Sequence, residues 1–200
     1  MKFYLLGFVL VGMIACSPST QIVKSWREPA STVSATGTYK TLVLGMVKDE
    51  GSRRIVEDAI VRRLNGKGIA SYTVITEEMI KAAKEDQLAE KLAQGGFTHL
   101  LMVRLADIEK ETSYVPGTTT GYYGGYGRYY GYGAGMYTTP GYYTEDKNYF
   151  VETAVYSISP DKLLWTGTTK TVNPSKMDKT INDIADIVTD QMKKDGFLLK

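Results

Sequence analysis

Apolar and polar positions follow different periods in successive parts of the chain, and each period predicts an element. Residues 3–11 (FYLLGFVLV) are continuously apolar behind Lys2, and no further charge appears before Cys16. The uncharged run from Phe3 to Ala15 is 13 residues, short of the roughly 20 that span hydrocarbon as a helix. With small Ala15 leading to Cys16, residues 1–15 read as a signal peptide. Residues 16–37 (CSPSTQIVKSWREPASTVSATG) carry little apolar periodicity and much Ser, Thr, Ala and Pro, which predicts an extended tether. Trp26 interrupts it and is expected to dock on the domain surface.

The folded part is expected over residues 38–200. Residues 39–47 (YKTLVLGMV) predict a strand and residues 48–52 the turn out of it. Ser52 is the expected N-cap of a helix whose apolar face is Ile55, Val56, Ala59, Ile60 and Leu64. Arg53, Arg54, Arg62 and Arg63 lie largely off that face, and Asn65-Gly66-Lys67-Gly68 ends the helix. Residues 69–75 (IASYTVI) complete a βαβ unit, so its two strands should be parallel. Thr76 then caps a second helix, with Leu88, Ala89, Leu92 and Ala93 on one side and Gly95-Gly96 at its end.

Residues 97–115 predict a long strand. Its start is apolar on both faces, as in a buried sheet centre. Asp107, Glu109 and Glu111 then alternate with Ile108, Lys110 and Thr112, so the strand is leaving for water. Residues 148–158 and 163–172 predict two antiparallel strands joined by Ser159-Pro160-Asp161-Lys162. Met177, Ile181, Ile184, Ala185, Val188 and Met192 mark a last helix, with Lys193-Lys194 in its final turn before Gly196. The order β-α-β-α-β-β-β-α predicts one α/β domain with α+β character, a mixed sheet with helices packed on it.

Between the long strand and its partner lies different material, residues 114–146, read as a Tyr/Gly-rich hairpin loop. Residues 114–143 hold ten of the fifteen tyrosines, nine of the twenty glycines and one charge, Arg128. Such a stretch cannot build a core of its own. Tyrosine nevertheless offers broad contact and a hydrogen-bonding tip at small entropic cost. Tyr122, Tyr123, Tyr126, Tyr129, Tyr130 and Tyr132, spaced by glycines, are the candidate binding residues for a protein partner or a glycan. The alternative is a flexible, non-specific loop.

Charge and composition remove several other functions. Cleavage before Cys16 leaves 185 residues with 23 basic and 22 acidic side chains, which gives no reason to expect nucleic acid. No second cysteine exists for a disulfide. His99 is the only histidine and has no nucleophile motif beside it, so it reads as a core or sheet-edge residue and no catalytic residue is assigned. One His and one Cys cannot close a zinc sphere. The stretch from Gly45 to Arg53 lacks the Lys-Ser/Thr pair of a phosphate loop. Arg53 and Arg54 could still hold an anion at a helix start, although a solvated helix start is the plainer reading. Asp107, Glu109 and Glu111 share a strand face but lack the turning loop that calcium favours, and Lys110 and Lys147 offer neutralisation. No metal or other cofactor is expected.

Met13-Ile14-Ala15-Cys16 resembles a bacterial lipobox, which implies cleavage before Cys16 and acylation of its sulfur and new amino terminus, with palmitate as a representative chain. Ser17 after the cysteine resembles the enteric outer-membrane sorting pattern, and the lack of a following acidic run favours the periplasmic face. Several stretches together resemble a family of uncharacterised bacterial lipoproteins described only as a domain of unknown function. They are the lipobox, SWREP, YKTLVLGMVKDEGSRRIVEDAIVRRL, GGFTHLLMVRL, the Tyr/Gly loop after YVPG, and LLWTGTT followed by NPSK. The element order is also similar to the small α/β domains of the curli secretion lipoprotein and of the amino-terminal part of TolB. These resemblances imply no catalytic residues. The expectation is a non-catalytic protein held on a membrane by lipid, whose partner is another envelope protein, or alternatively a glycan.

Overall fold

The computed structural model describes residues 19–31, 39–75, 90, 92–117, 119–120, 137–138 and 140–198. Six strands form one mixed sheet. They are β1 (Thr20–Arg27), β2 (Thr41–Met46), β3 (Gly68–Ala70), β4 (His99–Val115), β7 (Tyr142–Ser157) and β8 (Lys162–Val172), in the spatial order β1-β8-β7-β4-β2-β3. β5 (Thr119–Thr120) and β6 (Tyr137–Thr138) pair separately. β2 runs parallel to β3 and β4, and the other pairs are antiparallel. The mixed α/β expectation is therefore met, with the parallel strands early and the meander late.

Helices α1 (Glu50–Val61) and α2 (Met177–Lys194) pack side by side on one face of the sheet. The core between them is Val43, Ile60, Leu101, Val155, Ile184 and Val188, closed below by Trp165, Met192 and Phe197. Arg63 ties the two helices, its Nε 2.6 Å from Asp186 and its guanidinium donating to the Asn182 carbonyl at 3.1 Å. A smaller cluster of Leu42, Ile75, Leu92 and Phe97 lies on the opposite face. That second cluster explains why β2 is apolar at successive positions: it has cover on both sides.

Several local expectations change. The tether reading of residues 16–37 gives way over Thr20–Arg27, which is the edge strand β1. β1 forms because β8 offers it a row of threonines: Thr20 and Thr171 share a hydrogen bond at 3.0 Å, and Ile22 reaches the main core. Trp26 consequently stands on a strand and stays 45% exposed. The rest of SWREP is fastening, since Arg27 donates to the Gly196 carbonyl at 3.1 Å and Glu28 pairs with Lys162 at 3.2 Å.

Asp49, not Ser52, is the N-cap of α1. Its carboxylate accepts from the Ser52 N–H at 2.7 Å, which holds its pKa below the usual carboxylate range. Ile55 and Met177, expected on buried helix faces, are 39% and 62% exposed. In α1 the buried stripe runs through Glu57, Ala59 and Ile60, placing Ile55 on the flank. The strand expected over residues 69–75 closes after Ala70 into a 3-10 turn, Ser71–Thr73. Glycines end elements as expected, with φ of +77° at Gly66, +75° at Gly96 and +69° at Gly196. The second helix expected from Thr76 falls mostly outside the described residues, and 92–94 are helical.

Candidate functional site: the long hairpin

β4 and β7 are 17 and 16 residues long, far longer than their neighbours require. β2 leaves β4 at the pair Met46–Arg104. On the other side β8 leaves β7 at Asn148–Val172, and Asn173 adds one more step by bonding both ways to Lys147. Beyond these points the two strands continue alone, pairing to Val115–Tyr142. The six residues 142–147 alone extend the ribbon about 20 Å. Thr119–Thr138 and Thr120–Tyr137 keep the same register as Ile108–Tyr149. Residues 142–146, expected in the loop, thus belong to β7, and residues 114 and 115, read both as the end of the long strand and as the start of the loop, belong to β4. The connection in sequence narrows to residues 121–136.

The arms begin with a register slip between Leu105 and Asp107 that leaves Ala106 as the extra residue. From there the two faces differ in sign. The register puts Asp107, Glu109, Glu111 and Asp146 on the face away from α1 and α2. Ile108, Lys110, Tyr114, Tyr143, Glu145 and Lys147 occupy the helix side. The expected neutralisation by Lys110 and Lys147 is therefore corrected: a two-residue period sends them to the opposite face, where Lys110 pairs with Glu145 at 3.1 Å. Glu111 accepts from Asn148 at 3.3 Å and Asp146 from Asn173 at 2.6 Å. Farther out, the Tyr114 and Tyr143 rings pack at 5.0 Å between centroids, 57% and 75% exposed.

Cys16 and Tyr122, Tyr123, Tyr126, Tyr129, Tyr130 and Tyr132 lie outside the described residues. The six tyrosines fall in residues 121–136, between the paired ends of the hairpin in sequence. His99 stands half-buried at the start of β4, its Nδ1 2.8 Å from Thr98 Oγ1 and its ring edge-on to Tyr39. Burial lowers its pKa from the ordinary histidine value.

Sequence reasoning missed a second polar cluster. Glu57 is fully buried in the apolar stripe of α1. Its Oε1 accepts from Gly45 N–H at 3.0 Å, Arg53 Nε at 2.9 Å and Ser71 Oγ at 2.6 Å, and its Oε2 from Tyr72 N–H at 3.1 Å. Arg53 also donates to Ser71 Oγ at 2.7 Å, and Arg54 pairs with Glu50 at 2.6 Å. Both arginines considered for an anion are thus committed to this chain's own groups. The available signal was an Arg–Glu pair at i,i+4 crossing the apolar stripe. With every oxygen partnered, the cluster locks α1 to the carboxyl end of β2.

Among the described residues, no three or more His, Cys, Asp or Glu side chains are placed to hold a metal ion. No described helix is long and apolar enough to cross a membrane. No family model matches the chain, and no curated protein matches it. Solved structures similar to it include the PelC dodecamer from Paraburkholderia phytofirmans, at 10% identity and a TM-score of 0.45, covering 85% of this chain and 95% of that one. Another is the lipoprotein GNA1162 from Neisseria meningitidis, at 12% identity and a TM-score of 0.36, covering 78% of this chain and 99% of that one. Likenesses this distant carry no argument about what this chain binds or does.

Proposed function

We propose that this is a non-catalytic envelope lipoprotein that presents its long hairpin to another envelope protein. The observation that supports it most is the ribbon itself. Two strands run about 20 Å past the sheet, exposing Tyr114, Tyr142 and Tyr143 where no core needs them, with Leu105 and Ile108 exposed on β4 at the root. Exposed apolar and aromatic side chains gathered on one projection mark an interaction surface. The anchor in this reading is acylated Cys16, which the likeness to a lipobox and to uncharacterised lipoproteins supports, with the outer membrane and its periplasmic face as the location. Several acyl chains would hold the protein there stably. The TolB and curli likeness adds element order alone.

A second reading, glycan binding, is favoured by the exposed Tyr142 and Tyr143 rings at the base of the tyrosine-rich stretch. One deletion addresses both. Removing residues 122–137 should lower capture of an envelope protein from solubilised membranes by about tenfold or more, the loss of a small cluster of aromatic contacts. Loss of purified peptidoglycan capture instead would select the second reading. Unchanged capture of both would refute the two together.

A further inference from the structure

The hairpin has an edge as well as faces, and the edge points to a mode of recognition. From Leu105 to Val115 every residue of β4 is exposed. β7 occupies one side of this stretch, and among the described residues no strand occupies the other. Alternate N–H and C=O groups along 11 residues of β4 therefore face outward without a ladder, apart from the Ile108 N–H, which donates to the Asp107 carboxylate at 2.7 Å. Such an edge is a template for strand addition. The other long edge, β1, carries a register slip in its middle, between Ile22 and Lys24, and a lysine there, both of which discourage added strands. On β4 the slip lies at the root, and the stretch beyond it is regular.

Charge decides what could pair there. Asp107, Glu109 and Glu111 alternate along the strand on one face, and Asp146 continues that face across β7. No described cation pairs with any of the four. A second copy of this chain is a poor occupant. In antiparallel pairing about a two-fold axis, opposed residues share a face. Every register in which the two acidic rows overlap therefore sets carboxylate against carboxylate, which is destabilising. A strand with Lys or Arg at alternate positions would meet the row residue for residue, and its other face would cover Ile108 and Tyr114.

We propose that the free edge at residues 105–115 binds an extended protein segment with alternating basic residues, added as a strand beside β4. This rests on the reading of the hairpin as a partner-binding element and specifies how the partner is held. Two short synthetic peptides test it, one alternating Lys with Val and Thr, the other alternating Glu with the same residues. They are added to the full mature chain in detergent at low ionic strength, with amide hydrogen exchange followed by mass spectrometry. The basic peptide should slow exchange across residues 105–115 and bind about tenfold more tightly than the acidic one, as three opposite-charge cross-strand pairs warrant. The preference should shrink with added salt. The variant Asp107→Lys/Glu109→Lys/Glu111→Lys, at exposed sites and checked by circular dichroism, should reverse it. Equal binding of both peptides, binding without protection at 105–115, or no binding would overturn the proposal; the acidic row would then serve only to keep this edge single. Those results leave capture by the intact hairpin standing, whereas loss of the capture difference on deleting residues 122–137 refutes the broader reading by itself.

Discussion

Replacing Trp165 with Ala should destabilise the domain by about 3–5 kcal/mol, the range for emptying a fully buried large aromatic site. Trp165 is 0% exposed and lies where β8, the sheet face and the end of α2 meet. Its indole lies along the strand over Gly167, where an added Cβ would overlap the ring. The strand glycine in LLWTGTT is therefore a site of close approach. The indole Nε1 donates to Asp195 at 2.8 Å, at the C-cap of α2. Truncation removes the ring from the core and leaves Asp195 Oδ2 without this donor, while Oδ1 still accepts from Gln191 Nε2 at 2.7 Å. Urea unfolding of the Cys16→Ser chain measures the loss, with Trp26→Ala as the matched control. Trp26 is 45% exposed, and its replacement should cost no more than about 1 kcal/mol. Equal costs at the two tryptophans would contradict this packing.

Glu57→Ala should cost a similar amount, about 3–5 kcal/mol, because it strands the groups that the buried carboxylate satisfies. Four donors converge on it: Gly45 N–H, Arg53 Nε, Ser71 Oγ and Tyr72 N–H. Arg53, 15% exposed at its side chain, would be left as a largely buried cation. Removing both charges together, in Glu57→Leu/Arg53→Met, should recover part of the loss, since no charge then lacks its counterpart. The backbone N–H groups of Gly45 and Tyr72 remain orphaned, so recovery should be incomplete. The same urea titration reads both variants. A Glu57→Ala cost below about 1 kcal/mol would show that the cluster is solvated and does not lock α1 to β2.

What was legible in the sequence follows from what is local. The last helix could be read almost to the residue because Ile184, Ala185, Val188 and Met192 repeat on one face and the helix stops ahead of Gly196. The βαβ opening was legible for the same reason. β1 was not, because its stability comes from β8, which is some 150 positions away, as the Thr20–Thr171 bond shows. Glu57 was hidden because an acid inside an apolar stripe looks like surface until its donors, spread from Gly45 to Tyr72, are brought together. The β4 arm was read to its end at Val115, whereas the β7 arm was cut short because residues 142–147 have no buried face to set a hydrophobic alternation. Yet the two-residue period already implied that Lys110 could not neutralise the row on the other side, and only the charge count suggested otherwise. The tyrosines and Cys16, which carry the binding and anchoring expectations, fall outside the described residues.

Photo-crosslinking in intact cells tests the hairpin's role most directly. A photoreactive amino acid is placed singly at Ile108, at Glu109 and at Tyr143 on the ribbon, and at Lys179 on the outer surface of α2 as control. The three ribbon positions should each yield the same adduct with one envelope protein, and Lys179 should yield none. Adducts from Lys179 alone, or no adduct from any ribbon position, would contradict a hairpin built to hold a partner.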